Sequence, residues 1–244
     1  LLIHSDTTDG RKTFTDSSPN NITLIAADGP LSGDFPQHKT ARSKFGSSSI
    51  YFDGNGDGIK HSAADCFNFG TSNYTIDFWH YQDSSDTQQN HATWFSTYNY
   101  GTPTGNLSTG IIVERYIGNN RYGVYVSSSS AHLDTGDAII EDAWTHVAVV
   151  REGTGTNQCH FYVNGIEIFT FTDSTNYSSS NVVNVGWGHL YISESTGPSH
   201  EVKGYMDEMR LSSIARWTAA FTPPTRAYAT FSAGDGVFTG ELLT

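Results

Sequence analysis

The chain has 244 residues, of which 36% are hydrophobic and 13% aromatic; that length suits one large β-domain, and that apolar content fills a core and argues against disorder. Only ten Leu occur against 24 Gly, and Ser, Thr and Asn are abundant, a composition poor for helices and good for strands joined by turns. Thirteen Lys plus Arg against twenty-five Asp plus Glu leave a net charge of −12, which repels a polyphosphate backbone and argues against nucleic acid as a partner, and no apolar run reaches the roughly 18 residues that cross a bilayer, so no membrane insertion is expected.

Taken in chain order, period-two alternation marks strands at 1–4, 22–26 and 49–52. The first is too short an apolar stretch for a signal peptide. Asp53-Gly54-Asn55-Gly56-Asp57-Gly58 imitates the opening of a calcium-binding EF-hand loop, but its twelfth position is Ala64 where a bidentate Glu belongs, so it reads as a turn. Strands follow at 74–79, 92–98, 110–117, 121–127, 144–151, 159–163, 166–172, 182–186 and 205–211, about twelve in all. Asn164-Gly165 between two alternating runs predicts a tight type I′ hairpin and so antiparallel neighbours. Ser212 to Trp217, with a serine cap, predicts one helical turn before Pro223-Pro224. Polar loops lie at 82–90, 99–109, 173–181 and 193–203, where a sandwich usually carries its function. After Pro224 alternation fades, so 1–224 is read as the domain and 225–244 as a C-terminal extension or linker. The fold class predicted is all-β, a two-sheet antiparallel jelly-roll sandwich.

The chemistry-bearing residues do not form a familiar catalytic set. Ten His are scattered with no His-Glu-x-x-His, and no Gly-x-Ser-x-Gly elbow occurs. Glycoside hydrolysis needs two carboxyl groups flanking one bond. Asp207 and Glu208 are adjacent and so on opposite faces of a strand, while Asp77, Glu114 and Glu167 stand alone. No enzyme is therefore expected. His146 reads as structural, and Trp94 and Trp144 as core. For Cys66 and Cys159 a single bridge and two buried thiols fit equally well. Loop aromatics that could stack on sugar rings remain: Tyr98, Tyr100, Tyr177, Trp187 and His189, with core and surface roles evenly balanced for Tyr100 and Tyr177.

Several blocks, in this order and spacing, resemble the laminin-G-like, concanavalin A-like jelly-roll domains, especially those common in bacterial surface proteins and tailed-phage structural proteins. They are Leu1-Leu2-Ile3-His4-Ser5-Asp6, Ser49-Ile50-Tyr51-Phe52-Asp53-Gly54, Tyr74-Thr75-Ile76-Asp77-Phe78-Trp79, Trp144-Thr145-His146-Val147-Ala148-Val149-Val150-Arg151, Gly204-Tyr205-Met206-Asp207-Glu208 and Phe221-Thr222-Pro223-Pro224. The resemblance covers about residues 1–225. It implies a non-enzymatic carbohydrate-binding or adhesion module, extracellular or on a virion surface, whose partners are a glycan or cell-surface polysaccharide. The alternative is a structural virion or surface-layer protein whose sandwich and tail contact neighbouring subunits or copies of itself. Laminarinase-type hydrolases share the architecture, but their Glu-x-Asp-x-x-Glu strand has no match here. Relatives also hold a structural calcium on an aspartate of the last main strand; Asp207 matches that position, and Asp6 is the companion oxygen donor. The competing reading is that Asp207 only accepts from backbone amides.

Overall fold

A computed structural model describes residues 1–27, 35–61, 68–85, 91–97, 110–116, 120–129, 131–177, 182–186 and 201–230. In chain order its strands are β1 (Leu2–Ile3), β2 (Leu24–Ala27), β3 (Gln37–Lys39), β4 (Ser49–Asp53), β5 (Gly58–His61), β6 (Tyr74–Gln82), β7 (Ala92–Ser96), β8 (Ile111–Tyr116), β9 (Arg121–Val126), β10 (Ala131–Ala138), β11 (Trp144–Arg151), β12 (Cys159–Val163), β13 (Ile166–Phe171), β14 (Asn184–Val185) and β15 (Lys203–Ser212). Sheet A runs β13-β12-β11-β6-β15-β4-β3, with β1 also on β15, and sheet B runs β10-β9-β8-β7-β14-β5-β2. Every strand pair is antiparallel, as the sandwich reading predicts.

Alternation decides what each strand buries. On β6, Tyr74, Ile76 and Phe78 enter the core between the sheets, so Thr75, Asp77, Trp79 and Tyr81 take the outer face of sheet A. On β11, Val147 and Val149 point inward while His146, Ala148 and Val150 share that outer face. Trp94 fills the middle of the core, with ring centroids 5.9 Å from Phe78, 4.6 Å from His80 and 5.9 Å from Tyr122. Asn164 and Gly165 both have positive φ, 50° and 77°, as the hairpin requires. The 53–58 segment is the expected turn: Asp57 accepts from the Asp53 amide at 3.0 Å, and the chain passes from β4 in sheet A to β5 in sheet B.

The structure differs from the sequence reading in three places. Strands β3, β5 and β10 lie in stretches too polar or too glycine-rich to show alternation. Residues 213–217 form no helical turn: Ser212 ends β15, and the chain then crosses the outer face of sheet A. The domain does not stop at Pro224. Tyr228 is buried, its amide donates to Glu208 at 2.6 Å, and its hydroxyl donates to Asp77.

Candidate functional site

Of the five ring-bearing candidates, Tyr98, Tyr100, Trp187 and His189 lie outside the described residues. Tyr177 is a core residue and has no ring face to offer a ligand. Mutual backbone hydrogen bonds between Gly70 and Tyr177, at 2.8 and 3.0 Å, pull this segment inward. The Tyr177 hydroxyl donates to Asp173, which also accepts from Tyr74, and the Arg151 guanidinium sits against both rings. Burial, reinforced by Asp173, pushes both phenols well above their ordinary range. Cys159 is buried, which pushes its thiol up to about 12; Cys66 lies outside the described residues.

The two residues assigned to calcium are occupied by amides. Asp207 Oδ2 accepts from the amides of Lys44 and Phe45 at 2.9 and 3.2 Å, and Oδ1 from that of Glu208 at 3.0 Å. Asp6 Oδ1 accepts from the Ser47 amide at 2.8 Å. Donors aimed at these oxygens stand where a cation would approach, so the pair as arranged does not fit a calcium ion. Among the described residues no group of three His, Cys, Asp or Glu side chains is placed to hold a metal. Burial pushes the Asp207 carboxyl up to about 7, against the pull of the Phe45 and Lys44 amides. What the two carboxylates do is fix the 40–48 connection between β3 and β4. A side chain on Gly46, whose φ is +59°, would collide with Asp6.

Strand β15 carries a bulge between Asp207 and Arg210, with Glu208 at φ +53°. On the side away from β6, β4 pairs with Lys203–Met206 before the bulge and β1 with Met209–Arg210 after it. Both carboxylates are buried and separately engaged, Glu208 by His4 Nδ1 at 2.7 Å and by the Tyr228 amide. Nearby, His4, Asp6, Arg11, His38 and Tyr228 help line a polar cleft of about 440 Å³. The remaining strand carboxylates also have partners: Asp77 on Arg210, Glu114 on His91 in sheet B, and Glu167 on His160 near the β13 edge.

The outer face of sheet A divides into two halves. One half lies under the segment that follows β15. Trp217 and Phe221 stack with centroids 3.9 Å apart and cover Ala148, Val150 and Tyr162. The Phe221 amide donates to the Gly165 carbonyl at 2.9 Å, so the hairpin turn also anchors this strap. Beneath it Asp77 accepts a bidentate pair from Arg210, 3.0 and 2.8 Å, and lies 3.5 Å from His146. Burial pushes the Asp77 carboxyl up, but Arg210 and His146 outweigh it and hold the group well below the usual carboxylate range. His146 is thus structural, as expected.

The other half carries a row of four rings. Strand register pairs Tyr51 with Tyr205, Tyr205 with Tyr81, and Tyr81 with Trp144, across β4, β15, β6 and β11. Successive centroids are 5.0, 6.1 and 5.8 Å apart. Tyr51, Tyr205 and Trp144 are half-buried, so Trp144 is not the core residue expected, whereas Trp94 is, with 0% exposure. The exposed Arg42 lays its guanidinium 4.2 Å over Tyr81 and 5.9 Å from the Tyr205 ring. Beside the row, Lys44 Nζ is 3.8 Å from the centre of Trp79. Neither cation has a carboxylate within 4 Å among the described residues. Asp83, which Arg42 and Lys203 hold down by charge, is engaged first by Ser85. Sequence reading missed this row because its members are brought together by register alone.

Residues 53–219 match the family described as the concanavalin A-like lectin/glucanases superfamily. Comparison with the curated proteins gives no match. Among solved structures, domain 4 of AbnA, an extracellular arabinanase of Geobacillus stearothermophilus solved with arabinotriose, is similar at 20% identity and a TM-score of 0.55, over 80% of this chain and 83% of that one. The receptor-binding domain of botulinum neurotoxin D is similar at 12% identity and a TM-score of 0.59, over 89% of this chain and 50% of that one. The binding domain of Paraclostridial Mosquitocidal Protein 1 is similar at 16% identity and a TM-score of 0.54, over 85% and 48%. The chain thus spans about half the length of the two toxin domains. At these identities the likeness concerns the fold.

Proposed function

Since the chain belongs to the concanavalin A-like lectin/glucanases superfamily, we propose that it is a non-enzymatic carbohydrate-binding and adhesion module displayed at a cell or virion surface. The observation that carries this reading is the half-open row of Tyr51, Tyr205, Tyr81 and Trp144 with Arg42 beside it. Ring faces next to charged hydrogen-bonding groups are what sugar recognition requires, since a pyranose has apolar C–H faces and a polar hydroxyl rim. Support comes also from a similar domain, that of the arabinanase, which was solved with an arabinose oligosaccharide. Engagement of the strand carboxylates with Arg210, His146, His91 and His160 favours binding over hydrolysis. Calcium belongs to this proposal only as a ligand that would have to displace the amides on Asp207 and Asp6.

A glycan array probed with the full chain in calcium-containing buffer tests the reading. Reproducible hits are expected, without release of reducing ends on incubation. An array with no hits would overturn it.

A further inference from the structure

The outer face of sheet A combines two features that the fold alone does not demand. The first is the spacing of the row. Rings on adjacent strands fall 5.0 to 6.1 Å apart, following the strand separation of roughly 4.8 Å, on the scale of one pyranose unit per ring. A sugar chain lying across the strands would therefore pass one ring side chain per strand, three of them half-buried and the other, Tyr81, third in order, buried under Arg42.

The second feature is charge. On a chain of net charge −12, Arg42 and Lys44 lie beside these rings, both from the 40–48 connection and both over aromatic faces, while Lys203 and the carboxylates of Asp53 and Asp83 border the end of the row at Tyr51 and Tyr205. Stacking on Tyr81 and Tyr205 orients the Arg42 guanidinium before any ligand arrives, and its fork matches a carboxylate or sulfate. The connection is itself held in place, by Asp207 on the Lys44 and Phe45 amides, by Asp6 on the Ser47 amide, and by the Ser49 hydroxyl on the Arg42 carbonyl at 2.7 Å. Asp207 and Asp6 are thus positioning residues for two cations.

The geometry points to this row as the binding surface for an acidic glycan, with Tyr51, Tyr205 and Trp144 contacting sugars along the chain on either side of Tyr81, and Arg42 and Lys44 taking their anionic groups. A neutral glycan or an apolar protein partner would use the rings and leave both cations idle. Non-specific attraction of a polyanion is disfavoured by the net negative charge, so binding of this kind has to be local. The inference rests on the reading of the protein as a glycan-binding module and assigns that module its surface and its ligand chemistry.

The test is titration calorimetry of the full chain with oligogalacturonate, its carboxyl-reduced neutral counterpart and a sulfated dextran oligomer, at two salt concentrations. Binding of an acidic oligomer is expected, weaker at the higher salt and at least ten-fold weaker for the neutral counterpart. Arg42→Met and Trp144→Ala are each expected to weaken it ten-fold or more, and Lys44→Met several-fold, with far-ultraviolet dichroism and melting showing that the variants fold. The carboxylated and sulfated arms tell which anion the row prefers. Equal affinity for acidic and neutral oligomers overturns the ligand class. Acidic binding untouched by Arg42→Met and Trp144→Ala overturns the surface and leaves the glycan-binding reading intact. Failure of these oligomers together with an empty glycan array removes both.

Discussion

The hydroxyl of Tyr228 donates to the carboxylate of Asp77, a residue 151 positions earlier in the chain, and the Arg210 guanidinium lies 3.6 Å over the same phenol ring. Asp77 is fully buried and depends on Arg210 and His146 to remain ionised. Tyr228→Phe is expected to cost about 1–2 kcal/mol. Asp77→Ala, which strands the Arg210 charge, is expected to cost about 3–5 kcal/mol. Truncation after Pro224 should destabilise at least as much as Tyr228→Phe, and truncation after Thr230 should retain this clamp. Urea denaturation followed by tryptophan fluorescence measures all four.

Two buried groups give opposite responses to acid. Burial holds His80 down to about 3, so the fold keeps it neutral while the unfolded chain binds a proton below about 6.5. Its contribution is present above that pH and fades as pH falls, by about 2 kcal/mol at pH 5. Asp207, pushed up to about 7, contributes stability that is present below about pH 4 and lost as pH rises through 7. On acidification from pH 7.5 to 5, His80→Gln should therefore gain stability relative to wild type, and Asp207→Asn should lose it. Denaturation midpoints at the two pH values decide, and parallel behaviour of the two variants would refute both assignments.

Arg151 donates to the carbonyls of Ser72, Gly70 and Thr175 and to Asp173, tying the approaches to β6 to the segment after β13. A lysine has one ammonium for a set of acceptors arranged around a planar fork. Arg151→Lys is expected to cost about 3–5 kcal/mol by leaving buried acceptors or Asp173 unsatisfied. A loss below about 1 kcal/mol in the same denaturation assay would show that the fork geometry is unimportant.

Because backbone amides already satisfy Asp207, the fold is expected not to require calcium. Melting temperatures in about 2 mM calcium and in excess EDTA are expected to be equal, because an ion that binds only the native state would raise the melting point. A rise of several degrees with calcium would mean that the 40–48 connection rearranges to admit it.

Much of the sandwich can be read directly along the chain. The Asn164-Gly165 turn, the alternation of β6, β11 and β12, and the core position of Trp94 all depend on neighbours in sequence, where periodicity is informative. Strand β5 escaped notice because Gly58 and Lys60 interrupt its apolar pattern, and β3, Gln37-His38-Lys39, has none. Tyr177 looked like a loop ring because its polar neighbours are local, whereas the Gly70 and Asp173 bonds that bury it depend on the fold. The aromatic row was invisible for the same reason: Tyr51, Tyr81, Trp144 and Tyr205 are unrelated in sequence until four strands align.

The place of β15 within sheet A has a consequence for biosynthesis. It is the last strand described, yet it lies between β6 on one side and β4 and β1 on the other. Until the ribosome has made β15, the strands β6, β4 and β1 lack the partner that joins them, and their edges stay open to other nascent chains. Closure of this sheet must await emergence of β15 from the exit tunnel, so these edges are protected against aggregation only after that strand is made.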